Sequence, residues 1–263
     1  MAHSRLQDVG QAAGAIPETV VGPAVQDVEL EASQHGNFPR WIGQKFTPGG
    51  ALLPFPGNTV ICHLAQDSPL FQALLGLYDS LKGQSFASLY ALLPPTSWHM
   101  TVFEGISDKL RRPGMWPAGL PPGAPLEDCT AFVHSRLEEF DLGDDAPFRM
   151  RIEGFEPLLD GIALKVVPAD GPEERRLRGL RDRISERLLT RHPGHEGYSF
   201  HISLSYMLRF LGEEDHRNIS SYLEGWRSKL PDTFELGAPE FCVFDDMFAF
   251  RRLFYLAKRS RAR

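Results

Sequence analysis

The sequence predicts an α+β fold, bilobal, with two pseudo-symmetric antiparallel-sheet lobes and outer helices enclosing a central cleft. Three observations predict it. Short apolar or alternating runs of strand length take turns with single-stripe helical segments in the order strand, helix, strand, helix, strand, and this order occurs twice. An offset of 102 residues superposes the two rounds: Val60, Cys62 and Leu64 fall on Ile162, Leu164 and Val166, and residues 98–102 (WHMTV) fall on 200–204 (FHISL). The composition, 42% hydrophobic and 24% charged, is that of a globular chain with a core to bury. Two copies of one α+β unit packed face to face satisfy all three.

The elements follow in order. Residues 1–36, rich in Ala, Gly, Gln, Glu and Pro without periodicity, read as a disordered tail ahead of one bilobal domain over 37–263, its halves spanning about 41–153 and 160–258. Asn58 to Leu64 is a short apolar strand. Ser68 as N-cap, Pro69 in the first turn and Leu70, Leu74, Leu77 and Leu81 at helical spacing predict a helix. Residues 89–93 and 97–103 are extended. Five prolines and four glycines between Gly105 and Pro125 predict a long loop without helix or central strand. Helical spacing resumes over 125–140, and Phe148, Met150 and Ile152 alternate with Arg149 and Arg151 on a strand.

The second round opens with the strand 161–167 and a charged helix from Pro172 whose stripe is Leu177, Leu180, Ile184 and Leu188, stopped by Pro193 and Gly194. A strand over 199–206, a helix from Glu213 to about Leu230 with Ile219 and Leu223 inward, and strands over 240–244 and 248–256 complete it.

Charge and cysteine content bound the partners. With 28 basic and 34 acidic residues the net charge is −6, which excludes a surface built to neutralise long duplex nucleic acid and leaves a small nucleotide or a short RNA end as the expected partner. Cys62, Cys129 and Cys242 are odd in number, far apart and set in apolar segments, so buried free thiols in a reducing cytoplasm are expected. No run approaches the roughly 20 apolar residues of a membrane-crossing helix. The stretch 12–25 is broken by Pro17, Glu18, Gly22 and Pro23, unlike a signal peptide. A cytoplasmic monomer is the expectation.

The chemistry lies in the matched strands. Of nine histidines only His99 and His201 have a Thr or Ser two positions on, Thr101 and Ser203, and alternation puts each imidazole and hydroxyl on one face of its strand. Two such strands surround one anion with two imidazoles and two hydroxyls. That set suits a phosphodiester: imidazole, with a pKa of about 6.5, serves as base and as acid near neutral pH. Thr101 and Ser203 can donate to nonbridging oxygens, and the scheme requires no metal.

These residues resemble a known family. His99-Met100-Thr101-Val102 and His201-Ile202-Ser203-Leu204 are similar to the paired His-apolar-Ser/Thr-apolar motifs of the 2H phosphoesterase superfamily, over roughly Trp41 to Leu256. The resemblance implies a metal-independent enzyme without cofactor, acting at a 2′ or 3′ phosphate of ribose. Its relatives include RNA 2′,3′-cyclic phosphodiesterases, tRNA-splicing 2′-5′ ligase-like proteins and nucleotide cyclic-phosphate hydrolases. The Pro-rich loop and the aromatic region around Trp41 and Phe46 set this chain apart from each of them. Of the two imidazoles, His201 is expected to activate water and His99 to protonate the leaving group.

Other side chains compete for a role. Tyr198, three residues before His201, is a candidate contact to phosphate or sugar. Lys45, Arg151 and Lys165, with Arg149 and Arg251, are further candidates because they lie on extended segments. Either His63 or Lys165, superposed by the repeat, can approach the cleft. A rival metal-dependent hydrolase built from His192, His195 and nearby acids lacks a strong zinc spacing, although His192, His195 and His201 cluster in sequence. A binding module without turnover is the nonenzymatic rival.

Overall fold

Matching points of the repeat start the two halves alike. Ser68 Oγ accepts the Phe71 N–H at 3.2 Å and caps the helix α1 (Pro69–Leu81), and Asp170 accepts the Glu173 N–H at 2.9 Å and caps α3 (Gly171–Leu188). Each helix follows a strand of its own half: β1 (Gly57–His63) and β5 (Ala163–Pro168). The structure is a computed structural model and describes residues 38–143 and 146–258; the tail expected over 1–36 lies outside the described residues.

The remaining elements are β2 (Tyr90–Leu92), β3 (His99–Ser107), α2 (Leu126–Glu138), β4 (Phe148–Phe155), β6 (His201–Ser203), β7 (Ser205–Met207), α4 (Glu213–Arg227), β8 (Thr233–Leu236), β9 (Glu240–Phe244) and β10 (Arg251–Tyr255). Eight strands form one antiparallel sheet in the order β10-β9-β1-β3-β6-β5-β4-β8, and β2 pairs with β7 beside it. The α+β class and the two related halves are as expected: β9-β1-β3 on one side is mirrored by β4-β5-β6 on the other.

The face-to-face packing expected of the halves is corrected. They join edge to edge through the single pairing Met100↔Ile202 between β3 and β6. This union satisfies backbone groups that two free strand edges would leave unpaired, and it turns both apolar faces to the same side. On that side Met100, Val102, Met150, Leu164, Val166 and Ile202 are buried with the stripes of α2 (Val133, Leu137) and α3 (Leu177, Leu180, Ile184, Leu188). Trp98, which leads into β3, packs its ring on Phe71 and Tyr78 of α1 at 5.4 and 5.7 Å.

The seam is short because β6 ends early. The N–H groups of Leu204 and Ser205 both turn to the Ile162 carbonyl, at 2.8 and 3.1 Å, and the chain leaves the sheet as β7. Gly161 permits this crossing, since a Cβ there would lie 1.9 Å from the Ser205 carbonyl oxygen.

Three further boundaries differ from expectation. β3 runs through Gly105 to Ser107, because Asn58 reaches across and its Oδ1 accepts the Ile106 N–H at 3.0 Å, so the loop begins only at Asp108. α3 ends at Leu188 with Leu189 in the left-handed conformation (φ 56°), ahead of Pro193 and Gly194. β8 is an added strand, pairing Phe148–Arg151 of β4. Cys62, Cys129 and Cys242 are free and buried. No helix among the described residues is long and apolar enough to cross a membrane.

Candidate active site

The antiparallel register decides which side chains meet. With Met100 opposite Ile202, His99 stands opposite Ser203 and Thr101 opposite His201, all four on the face away from the helices. The two imidazoles occupy one diagonal of this rectangle and the two hydroxyls the other. Diagonal neighbours on adjacent strands are about 7–8 Å apart at Cα, a span that two inward-leaning imidazoles close around one small anion. Sequence reasoning had the four residues meeting across a hollow; they meet on one continuous sheet surface.

Both rings are anchored alike. His99 Nδ1 lies 2.7 Å from the Ser97 carbonyl oxygen, and His201 Nδ1 lies 3.0 Å from the Ser199 carbonyl oxygen. A carbonyl only accepts, so Nδ1 carries the hydrogen in each ring, and Nε2 is turned outward, able to take or give a proton.

Their surroundings differ. Phe250 packs edge-on against His99 with ring centroids 4.3 Å apart. Burial lowers the His99 pKa from 6.5 to about 3; the Ser97 bond acts against this, while His63, His201 and Lys45 add to it. His99 is therefore neutral in the resting protein at pH 7. The anchoring bond of His201 is exposed to solvent.

The further candidates are distributed unequally around the four. Tyr198 stacks obliquely near His201, ring centroids 6.2 Å apart, and the Thr101 side chain lies near its hydroxyl. Burial pushes the Tyr198 phenol far above its ordinary range, so it keeps its proton. Lys165 is directly paired with His201, but its Nζ is 3.1 Å from Glu153 Oε2. Arg151 lies on β4, separated from β6 by β5, and pairs with Glu153 at 3.4 Å. Arg149 is drawn off to Asp170 at 2.7 Å.

Lys45 does not lie on an extended segment; it closes a tight turn in which its N–H donates to the Trp41 carbonyl at 2.9 Å. That turn puts Nζ 3.7 Å from the centre of the Trp41 ring and within hydrogen-bond reach of Tyr206 Oη at 2.9 Å. Burial brings its pKa down to about 7 against the pull of Asp160, with Arg40 adding to the fall. Lys45 is close enough to contribute to the lowering of His99.

Several contributors were missed or only half seen. His63 on β1 is directly paired with His99, and its Nδ1 is 3.0 Å from Glu240 Oε2 on β9. The repeat offset held a signal for it, since position 63 maps onto Lys165. Arg181 of α3, fully buried, donates to the Val102 carbonyl at 2.5 Å and lies 3.9 Å from the Tyr198 ring centre. A helix stripe read for apolar spacing gives no warning of such a residue.

Among the described residues, His192 and His195 form no three-ligand group with nearby acids. His192 and His195 pack on Phe103, at 5.2 and 6.1 Å between ring centroids, and His195 Nε2 is 3.0 Å from Asp182. Among the described residues the ligand atoms of His63, Glu240 and Cys242 lie within 4.8 Å of one another. Burial pushes the Cys242 thiol up to about 12, and Arg252 holds Glu240 Oε2 at 3.2 Å, so the trio as it stands is an ion-paired network with a protonated thiol. A surface hollow of about 590 Å³, lined by α2 and the β9–β10 turn, holds none of the four motif residues.

A family model described as "2H-phosphodiest: Domain of unknown function (DUF1868)" matches residues 45–159, which include His99 and Thr101. The crystal structure of the conserved protein of unknown function ATU0111 from Agrobacterium tumefaciens str. C58 is 30% identical, covering 90% of this chain and 100% of that one, with a TM-score of 0.76. The chain belongs to the 2H phosphodiesterase family. Membership supports phosphoester hydrolysis as its general chemistry and agrees with the resemblance carried by the two motifs. The chain also matches the crystal structure of TT0787 of Thermus thermophilus at 18% identity, over 79% of this chain and 100% of that one, with a TM-score of 0.41. Compared with curated proteins, it has no match.

Proposed function

We propose that the protein is a phosphodiesterase that opens a 2′,3′-cyclic phosphate, or a related phosphodiester of a nucleotide or RNA end, by two-histidine acid–base catalysis without a metal. The observation that carries this reading is the shared sheet face of His99, Thr101, His201 and Ser203, with both Nδ1 atoms committed to carbonyl oxygens. Thr101 and Ser203 donate to the nonbridging oxygens, where charge accumulates in the transition state.

The deeper desolvation of His99 favours the opposite assignment of roles to the one expected from the sequence. His99, neutral at rest, takes the proton of the attacking water through Nε2 as the new O–P bond forms. The arriving phosphate anion opposes the desolvation and raises its affinity for that proton. His201, nearer solvent, delivers Nε2–H to the departing 2′ or 3′ oxygen as its bond to phosphorus breaks. One proton enters at His99 and one leaves from His201, and exchange with solvent resets the pair.

The test is turnover of 2′,3′-cyclic nucleotides in excess chelator by the parent protein, His99→Ala and His201→Ala. Chelator-resistant turnover that falls at least 100-fold in both variants is expected, in line with the typical contribution of a general acid or base. Binding without turnover across a panel of phosphodiesters, or turnover abolished by chelation, would overturn the reading.

A further inference from the structure

Each motif histidine has a partner on the adjacent outer strand of its own half, on the same sheet face: His63 opposite His99 and Lys165 opposite His201. The repeat extends beyond the central four, because each partner reaches a carboxylate that a basic side chain also approaches. On one side His63 Nδ1 is 3.0 Å from Glu240 Oε2, which Arg252 also approaches at 3.2 Å. On the other, Lys165 Nζ is 3.1 Å from Glu153, which Arg151 also approaches at 3.4 Å.

The two flanks are not equivalent. Glu240 is buried, and although burial acts to raise its pKa, the hydrogen bond and charge of His63, with Arg252, hold the carboxyl below its ordinary range. An ionised Glu240 accepts from Nδ1–H. The two ring nitrogens face nearly opposite sides of an imidazole, so anchoring Nδ1 on β9 turns Nε2 toward β3. There the His63 ring is 6.2 Å from that of His99, its side chain is 23% exposed, and Nε2 has no partner among the described residues. Protonated on both nitrogens, His63 presents a charge-assisted donor to an anion. On the other flank the part-exposed Lys165 ammonium is already taken up by the Glu153 carboxylate.

We propose that His63, clasped by Glu240, is a second anion-binding point of this face and holds a further phosphate of the substrate, beside the phosphodiester held by the central four. The inference rests on the phosphodiesterase reading and narrows it. The substrate class is a nucleotide or RNA end that carries another phosphate one ribose away from the scissile bond. From the middle of the seam to β1 is one and a half strand spacings, about 7 Å. That is comparable to the separation of successive phosphates across a ribose.

The test compares adenosine 2′,3′-cyclic phosphate with its 5′-phosphorylated form, both in chelator, and reads the ratio of their kcat/KM values. The parent protein should favour the 5′-phosphorylated substrate about tenfold, the size expected of one part-exposed charge-assisted contact. His63→Gln should bring the ratio to about one. His63→Lys, which installs the residue used at the matching position 165, should retain it, and so should Lys165→Gln. Turnover of both substrates at equal kcat/KM by the parent would overturn the inference and leave the phosphodiesterase reading standing. Failure to turn over either would remove both. A ratio lost in Lys165→Gln but kept in His63→Gln would assign the second phosphate elsewhere. Thermal melts identify a variant that fails to fold; Glu240→Gln, which keeps the imidazole and removes its clasp, then serves in place of His63→Gln and should lower the ratio.

Discussion

Replacing His99 by Gln should make the fold less sensitive to acid. In the unfolded chain this imidazole titrates near 6.5, and in the folded protein burial beside Phe250 brings it to about 3. Between those values the unfolded state holds a proton that the folded state refuses. Stability is therefore full above about pH 7 and is lost as the pH falls toward 3. At pH 5 the unfolded site is more than about nine-tenths protonated and the folded site about one-hundredth, a linkage of about 2 kcal/mol relative to pH 7. Solvent contact of the part-buried ring reduces this to about 1–2 kcal/mol. The measurement is urea unfolding of the parent and His99→Gln at pH 7 and pH 5. His192, also lowered by burial, contributes equally to both proteins and cancels. The parent should lose about 1–2 kcal/mol more than the variant between the two pH values. Equal losses would refute the burial argument, and with it the assignment of His99 as the neutral base.

Two other outcomes follow from particular contacts. Tyr198→Phe removes the hydroxyl that lies near the Thr101 side chain, and kcat on a 2′,3′-cyclic nucleotide should fall about three- to tenfold with KM little changed, the size of one neutral polar contact; an unchanged kcat would show that Thr101 needs no such orientation. Gly161→Ala sets a Cβ 1.9 Å from the Ser205 carbonyl oxygen, so a loss of at least about 2 kcal/mol in urea unfolding is expected, and a neutral substitution would contradict the close crossing of β5 and β7.

Local chemistry made most elements legible in the sequence. The cap at Ser68, the Leu stripes and the alternation over 148–152 each report short-range physics, and the helices and strands they mark are present. The missed features depend on distant residues. The extension of β3 through Gly105 needs Asn58 from the neighbouring strand, and the early end of β6 needs the Ile162 carbonyl. The turn around Lys45 became part of the site because Trp41 and Tyr206, far apart in the chain, enclose its ammonium.

The sequence by itself determined the two His-x-Ser/Thr motifs, the repeat that relates them and, through strand alternation, which side chains of each motif share a face. These are properties of consecutive residues, and a period of two is enough to derive them. Only the tertiary structure decided that the motif strands pair with each other, that His99 is the more desolvated imidazole, and that His63 and Glu240 stand beside it. Register and desolvation arise from groups brought together over long stretches of chain, so no local pattern encodes them.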